Sequence, residues 1–155
     1  MKDTKYKRNW LCKREIDRGP NDKYLTRYVV FRCKWFSIYI HQFHASDFPV
    51  PHDHPWTWMA LPLRTGYIEH FLDGTSVERK PFRPVIRGAR EFHWIELKPG
   101  SAGKTWTLFI TGKVKRDWGF FTKKGWVPNA KYTESLNKPV KPKIKKETKA
   151  SRIIL

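Results

Sequence analysis

His52 and His54 stand two residues apart in Pro51-His52-Asp53-His54-Pro55-Trp56. Side chains alternate faces along an extended segment, so both imidazoles point the same way there. Two imidazoles on one face can grip one metal ion. His93, in Arg90-Glu91-Phe92-His93-Trp94-Ile95, is the third ligand expected. Three neutral imidazoles leave positions open on a first-row metal for substrate or oxygen. The competing reading is three ordinary histidines, two of them in a proline-flanked loop, since His-x-His alone is weak evidence. By the same alternation Asp53 points away from the metal and braces the loop.

Other side chains could join this chemistry. Tyr67, Glu69 and Phe71 share one face of a strand over 67–71. Glu69 facing inward would be a carboxylate beside a cationic site, acting as acid/base or orienting a ligand, and Tyr67 would act with it. Facing outward, Glu69 is a solvated charge. His41 alternates with apolar neighbours in a strand over 34–43, and is either a contact in the site or a histidine with a structural partner. Arg64, Arg87 and Arg90 are candidates to bind an anionic substrate, because guanidinium forks match carboxylate and phosphate.

The elements that must position these residues are short strands. They run over 24–30, 34–43, 56–63, 67–71, 75–82, 92–97, 106–111 and 118–122, about eight to ten in all, with no convincing helix. Gly66 and Asp73-Gly74 mark tight turns. Pro62 donates no ladder hydrogen bond, so it predicts an edge or a bulge. This pattern suits an all-β jelly-roll barrel.

The order His-x-His, strand, glycine turn, then a later strand with one more histidine resembles the cupin family. The resemblance is closest to small single-domain cupins, many from phage or bacteria, that carry His-Asp-His-Pro-Trp and are similar to cysteine dioxygenases. It covers roughly Tyr24 to Tyr132, and includes Trp106-Thr107-Leu108, Thr111-Gly112, Trp118-Gly119-Phe120 and Gly125-Trp126-Val127-Pro128. It implies a cupin-type barrel with His52, His54 and His93 on the metal. Many cupins add a glutamate five residues after the second histidine, where this chain has Met59. Leu97 replaces an expected asparagine. With Met59 in that inward place, Thr57 also faces inward as a substrate contact, and Trp56 and Trp58 pack outward. The implied cofactor is Fe(II), with Zn, Ni or Mn as alternatives because imidazole suits several metals. The implied function is a dioxygenase-like oxidoreductase acting on a small anionic or thiol substrate. The missing carboxylate equally suits a site that no longer holds metal. The resemblance also suggests a homodimer.

The chain has 155 residues, enough for one domain, and 24 of them are aromatic, enough for a core. Three regions are expected: a basic N-terminal segment over 1–20, a barrel over 21–132, and a basic Lys/Pro-rich tail over 133–155 without fixed structure of its own. Cys12 and Cys33 provide no disulfide framework. No apolar run is long enough to span a bilayer, and no secretory segment opens the chain, so a cytoplasmic protein without membrane contact is expected. The net charge is +18. Such a charge attracts polyanions through counterion release, or serves solubility alone. Two further functions are therefore open. One is a non-catalytic binding cupin whose basic tails engage nucleic acid or an acidic partner. The other is a cupin that modifies a nucleotide or nucleic acid.

Overall fold

The computed structural model describes residues 10–18 and 21–137. The expectations for the extreme termini, over 1–9 and 138–155, lie outside the described residues.

Eleven strands and one helix make up the described chain. They are β1 (Trp10–Asp17), β2 (Lys23–Arg32), β3 (Ser37–Phe43), β4 (Trp58–Arg64), β5 (Tyr67–Phe71), β6 (Ser76–Arg79), β7 (Val85–Arg87), β8 (His93–Glu96), β9 (Thr105–Thr111), β10 (Gly119–Thr122), β11 (Gly125–Pro128) and α1 (Asn129–Asn137). One sheet runs β1-β2-β3-β9-β4-β7; the others are β6-β5-β8 and β10-β11. Every pair is antiparallel. His52 forms single bridges to His93 and to Phe120, so the Pro51–Asp53 stretch joins the two smaller sheets into one layer. The result is the expected all-β jelly roll.

Period-2 alternation decides the faces. Along β3, Ser37, Tyr39, His41 and Phe43 are buried while the residues between them are less so. Residues 34–36 form the β2–β3 turn rather than strand, closed by Cys33 N–H donating to the Phe36 carbonyl at 3.0 Å. The barrel interior is unusually polar: Thr26, Ser37, His41, Glu69, His93, Thr105, Thr107 and Thr111 are all buried. Buried polar side chains at this density point to a site inside the barrel.

Three features depart from the sequence expectation. β1 occupies much of the basic N-terminal segment, with Cys12, Arg14 and Ile16 on its less exposed face. β7 is a separate short strand ahead of the turn at Gly88. The helix α1, not expected, spans the proposed boundary at 132/133 and is anchored by Tyr132 stacked on Phe120 at 4.0 Å. Pro62 sits at the expected bulge, where the β4–β9 register shifts between Pro62 and Arg64. Among the described residues neither Cys12 nor Cys33 forms a disulfide. No helix among the described residues is long and apolar enough to cross a membrane.

Gly66 turns the chain from one sheet to the other. Its φ is +70°, and a Cβ there would lie 2.0 Å from the Arg79 carbonyl oxygen. Gly66→Ala is therefore expected to cost about 1–3 kcal/mol. A thermal melt followed by circular dichroism measures it, and an unshifted midpoint would contradict the strain.

Candidate metal centre

The site is built from a strand pairing and a loop. His52 and His93 face each other across the bridge, each N–H donating to the other's carbonyl at 2.9 and 3.1 Å. Directly opposed residues put their side chains on the same face. His54, two residues on, returns to that face. Its N–H donates to the Ala89 carbonyl at 3.1 Å. Asp53, between the two histidines, points the other way and is fully buried. Its carboxylate accepts the Gly119 N–H at 2.7 Å and pairs with Arg116. Gly119 approaches so closely that a Cβ there would sit 2.2 Å from the Val127 carbonyl oxygen. This bracing fixes the loop that carries His52 and His54.

One ring nitrogen from each of the three histidines lies within 4.8 Å of the others. His54 Nε2 and His93 Nε2 are 2.8 Å apart. Bound to Zn or a similar metal, imidazole nitrogens sit about 2.0–2.1 Å from the ion and so at most about 4.2 Å from one another, and the His54–His93 separation lies within that reach. His93 Nδ1 donates to Glu69 Oε1 at 2.9 Å. That bond places the proton on Nδ1 and leaves the Nε2 lone pair facing His54. His52 Nδ1 is buried without a hydrogen-bond partner. Burial lowers the His52 pKa to about 4, with His93 adding to the effect. Burial, then His93 and His52, hold His54 well below the ordinary imidazole value. Both rings are thus neutral and ready to bind as ligands. A divalent metal fits this donor set.

Glu69 is fully buried on β5. Arg79 Nε donates to it at 2.6 Å and Arg87 at 3.3 Å. Burial raises its pKa, but the bonds from His93, Arg87 and Arg79 outweigh that and hold it at about 2. It is a carboxylate behind His93, bonded to the nitrogen turned away from His54. Its position suits orienting a ligand, and its committed oxygens do not suit proton transfer.

Trp58 is the residue that sequence reasoning misplaced. It is inside, 2% exposed, stacked on His93 at 4.9 Å and edge-on to His54 at 5.3 Å. The inward face of β4 is Trp58, Ala60 and Pro62. Met59 lies on the outer face, in a cross-strand row with Ile38, Ile110 and Ile86. Thr57 is exposed and contributes only its backbone carbonyl, which accepts the Gly112 N–H at 2.9 Å.

The remaining candidates are also placed elsewhere. His41 is buried, but its Nε2 accepts from Arg27 Nε at 3.0 Å, and its ring stacks on Phe109 at 5.0 Å. It makes no contact with the three histidines among the described residues. Tyr67 is buried on the Glu69 face against Phe43, and burial pushes its phenol well above the ordinary value. Arg64 and Arg90 are exposed. Arg87 is taken up by Glu69 and by Glu91, 3.4 Å away.

His52 and His54 keep an accessible edge, where His93 does not. Trp118 lies beside both rings, parallel to His54 at 6.4 Å and edge-on to His52 at 6.1 Å. Its other surroundings are a cleft of about 650 Å³ at the barrel mouth, which also touches Tyr39, Trp56, Thr111 and Asn129. Trp118 and Trp58 were not singled out from sequence as site residues.

No protein-family model and no curated protein matches this sequence. Solved structures do match its fold. The polyketide cyclase RemF from Streptomyces resistomycificus is 18% identical, with a TM-score of 0.57 over 80% of this chain and 87% of that one. KdgF from Halomonas sp. is 11% identical, with a TM-score of 0.51 over 67% of this chain and 89% of that one. The iron(II) form of HppE is 7% identical, with a TM-score of 0.52 over 64% of this chain and 56% of that one. At these identities the likeness is one of fold: the barrel is a cupin-type jelly roll.

Proposed function

We propose that the protein is a mononuclear metal-dependent oxidoreductase, loaded with Fe(II), that adds dioxygen to a small anionic or thiol substrate. The observation that carries this reading is the convergence of His52, His54 and His93 with no carboxylate among them. An all-imidazole set is neutral, so a bound divalent ion keeps its full charge and favours an anionic substrate at its open positions. HppE, which shares the fold, is an iron(II) protein.

When bound, Fe(II) would supply a site at which dioxygen and a thiolate meet. The protein's own groups do the rest. Glu69 holds the His93 proton on Nδ1 and fixes the ring. Trp58 closes the inner side of the rings and excludes water from it. Trp118 lies beside the His52 and His54 rings, and substrate enters past it. For a thiol the reaction balances as RSH + O2 → RSO2H, with both oxygen atoms ending on sulfur and no external reductant consumed.

Oxygen uptake by the anaerobically Fe(II)-loaded protein, screened against small thiols and carboxylates, tests the reading. Uptake matched one-to-one by sulfinate or other oxygenated product is the expected result. Uptake no faster with any substrate than with Fe(II) in buffer would overturn it.

A further inference from the structure

We infer that the cleft at the barrel mouth is a binding site for single-stranded nucleic acid. The inference goes beyond the metal reading and does not depend on it. Among the described residues the cleft is lined by Lys34 and Lys113 together with Arg14, Arg27 and Arg32, and by Glu15. Glu15 is bonded to Lys13 at 2.9 Å and Lys23 at 3.1 Å, so it offsets little of that charge. The cleft thus sets the Lys34 and Lys113 side chains beside the aromatic residues Phe36, Tyr39, Trp56 and Trp118.

Its rim extends the same pairing of charge and ring. Trp35, at the β2–β3 turn, is 60% exposed, and Phe36 beside it is 41% exposed. Lys34 Nζ lies 4.9 Å from the centre of the Trp35 ring and Lys113 Nζ 5.6 Å. Both ammonium groups lie over the exposed indole, so a base that displaces one of these flexible lysine side chains gains a stacking face and its phosphates gain two nearby counter-charges. A small anion inside the cleft would need neither the exposed ring nor charge beyond the rim. A chain ligand uses both, and the net charge of +18 favours a polyanion. Stacking on Trp35 requires an unpaired base, which selects single strands over duplex.

The test is fluorescence anisotropy of the full-length, metal-free protein with a labelled oligouridylate of about 12 nucleotides, a length within the span of such grooves. Trp35→Ala is expected to weaken binding about tenfold. Lys34→Ala and Lys113→Ala should each reduce the slope of log affinity against log salt by about one. Binding by the metal-free protein separates this inference from the metal reading. Equal affinity of Trp35→Ala and parent would overturn it, and so would a blunt duplex or heparin competing as well as the single strand. Uridine monophosphate competing at the oligomer's own affinity would overturn it too, in favour of a nucleotide site.

Discussion

His93→Ala is expected to strip the protein of metal, and His54→Ala to do the same. Protein purified without a metal-affinity step should carry about one equivalent of metal, as a single three-imidazole site allows. Loss of an outer partner of a metal ligand typically costs 10–100-fold in affinity, so loss of a ligand should cost more than about 100-fold. The pair of variants matters because the two residues differ in burial. His93 packs under Trp58 and holds Glu69, so its removal also disturbs the barrel interior. His54 keeps an accessible edge and is the milder deletion. Elemental analysis of both variants decides the outcome. Stoichiometric metal retained in either one would remove that residue from the ligand set, while loss in both, in folded protein, supports the three-histidine site.

The second large effect is at Glu69. Glu69→Gln keeps the shape and an acceptor for His93 Nδ1, but deletes the negative charge between Arg79 and Arg87. Metal affinity should fall about 10–100-fold. Stability should fall as well, because two partly buried guanidinium groups lose their counter-charge. The carboxyl is held at about 2 in the folded protein against an ordinary value of 4.5. A depressed pKa stabilises the fold above the unfolded value and loses that stabilisation as pH drops through the folded one. The shift corresponds to about 3 kcal/mol at neutral pH, and to less than about half of that at pH 3. Denaturant titrations of metal-free parent and variant at the two pH values measure the gap. A gap of the same size at both would show that the charge on Glu69 is not what matters.

How much of this could be read from the sequence depends on what each residue's placement rests on. The three histidines were legible because strand alternation fixes His52 and His54 on one face. His93 followed from its place in the order of strands. Asp53 was legible as a brace for the same reason. Trp58 was not, although unbroken alternation from His54 would have kept it on the inward side. The resemblance assigned the inward place to Met59, five residues after His54, and turned the strand over. The structure keeps the simple parity. The setting of Arg87 was hidden for another reason. Sequence shows a guanidinium but not its partner, and Arg87 is spent on Glu69, a residue 18 positions away. The partner of His41 was hidden likewise, since its acceptor nitrogen is filled by Arg27 from the neighbouring strand. The helix α1 escaped notice because its sequence has no apolar stripe, and its anchor is a single ring, Tyr132 on Phe120. Turns and bulges read well, because Gly66, Asp73-Gly74 and Pro62 act through their own backbones.

The single bridge that joins His52 to His93 has a mechanical meaning. The layer opposite the six-stranded sheet is stitched at this seam by only a few backbone bonds, one ladder rung to His93 and one to Phe120. A seam that narrow opens more readily than the sheets on either side of it, so local unfolding of the metal-free barrel would begin there. An ion held by His52, His54 and His93 would rivet it, tying two segments about 40 residues apart. Occupancy would then stabilise the closed form by mass action, in proportion to the logarithm of free metal over its dissociation constant. In this chain the ligand set and the closure of the barrel are one and the same joint.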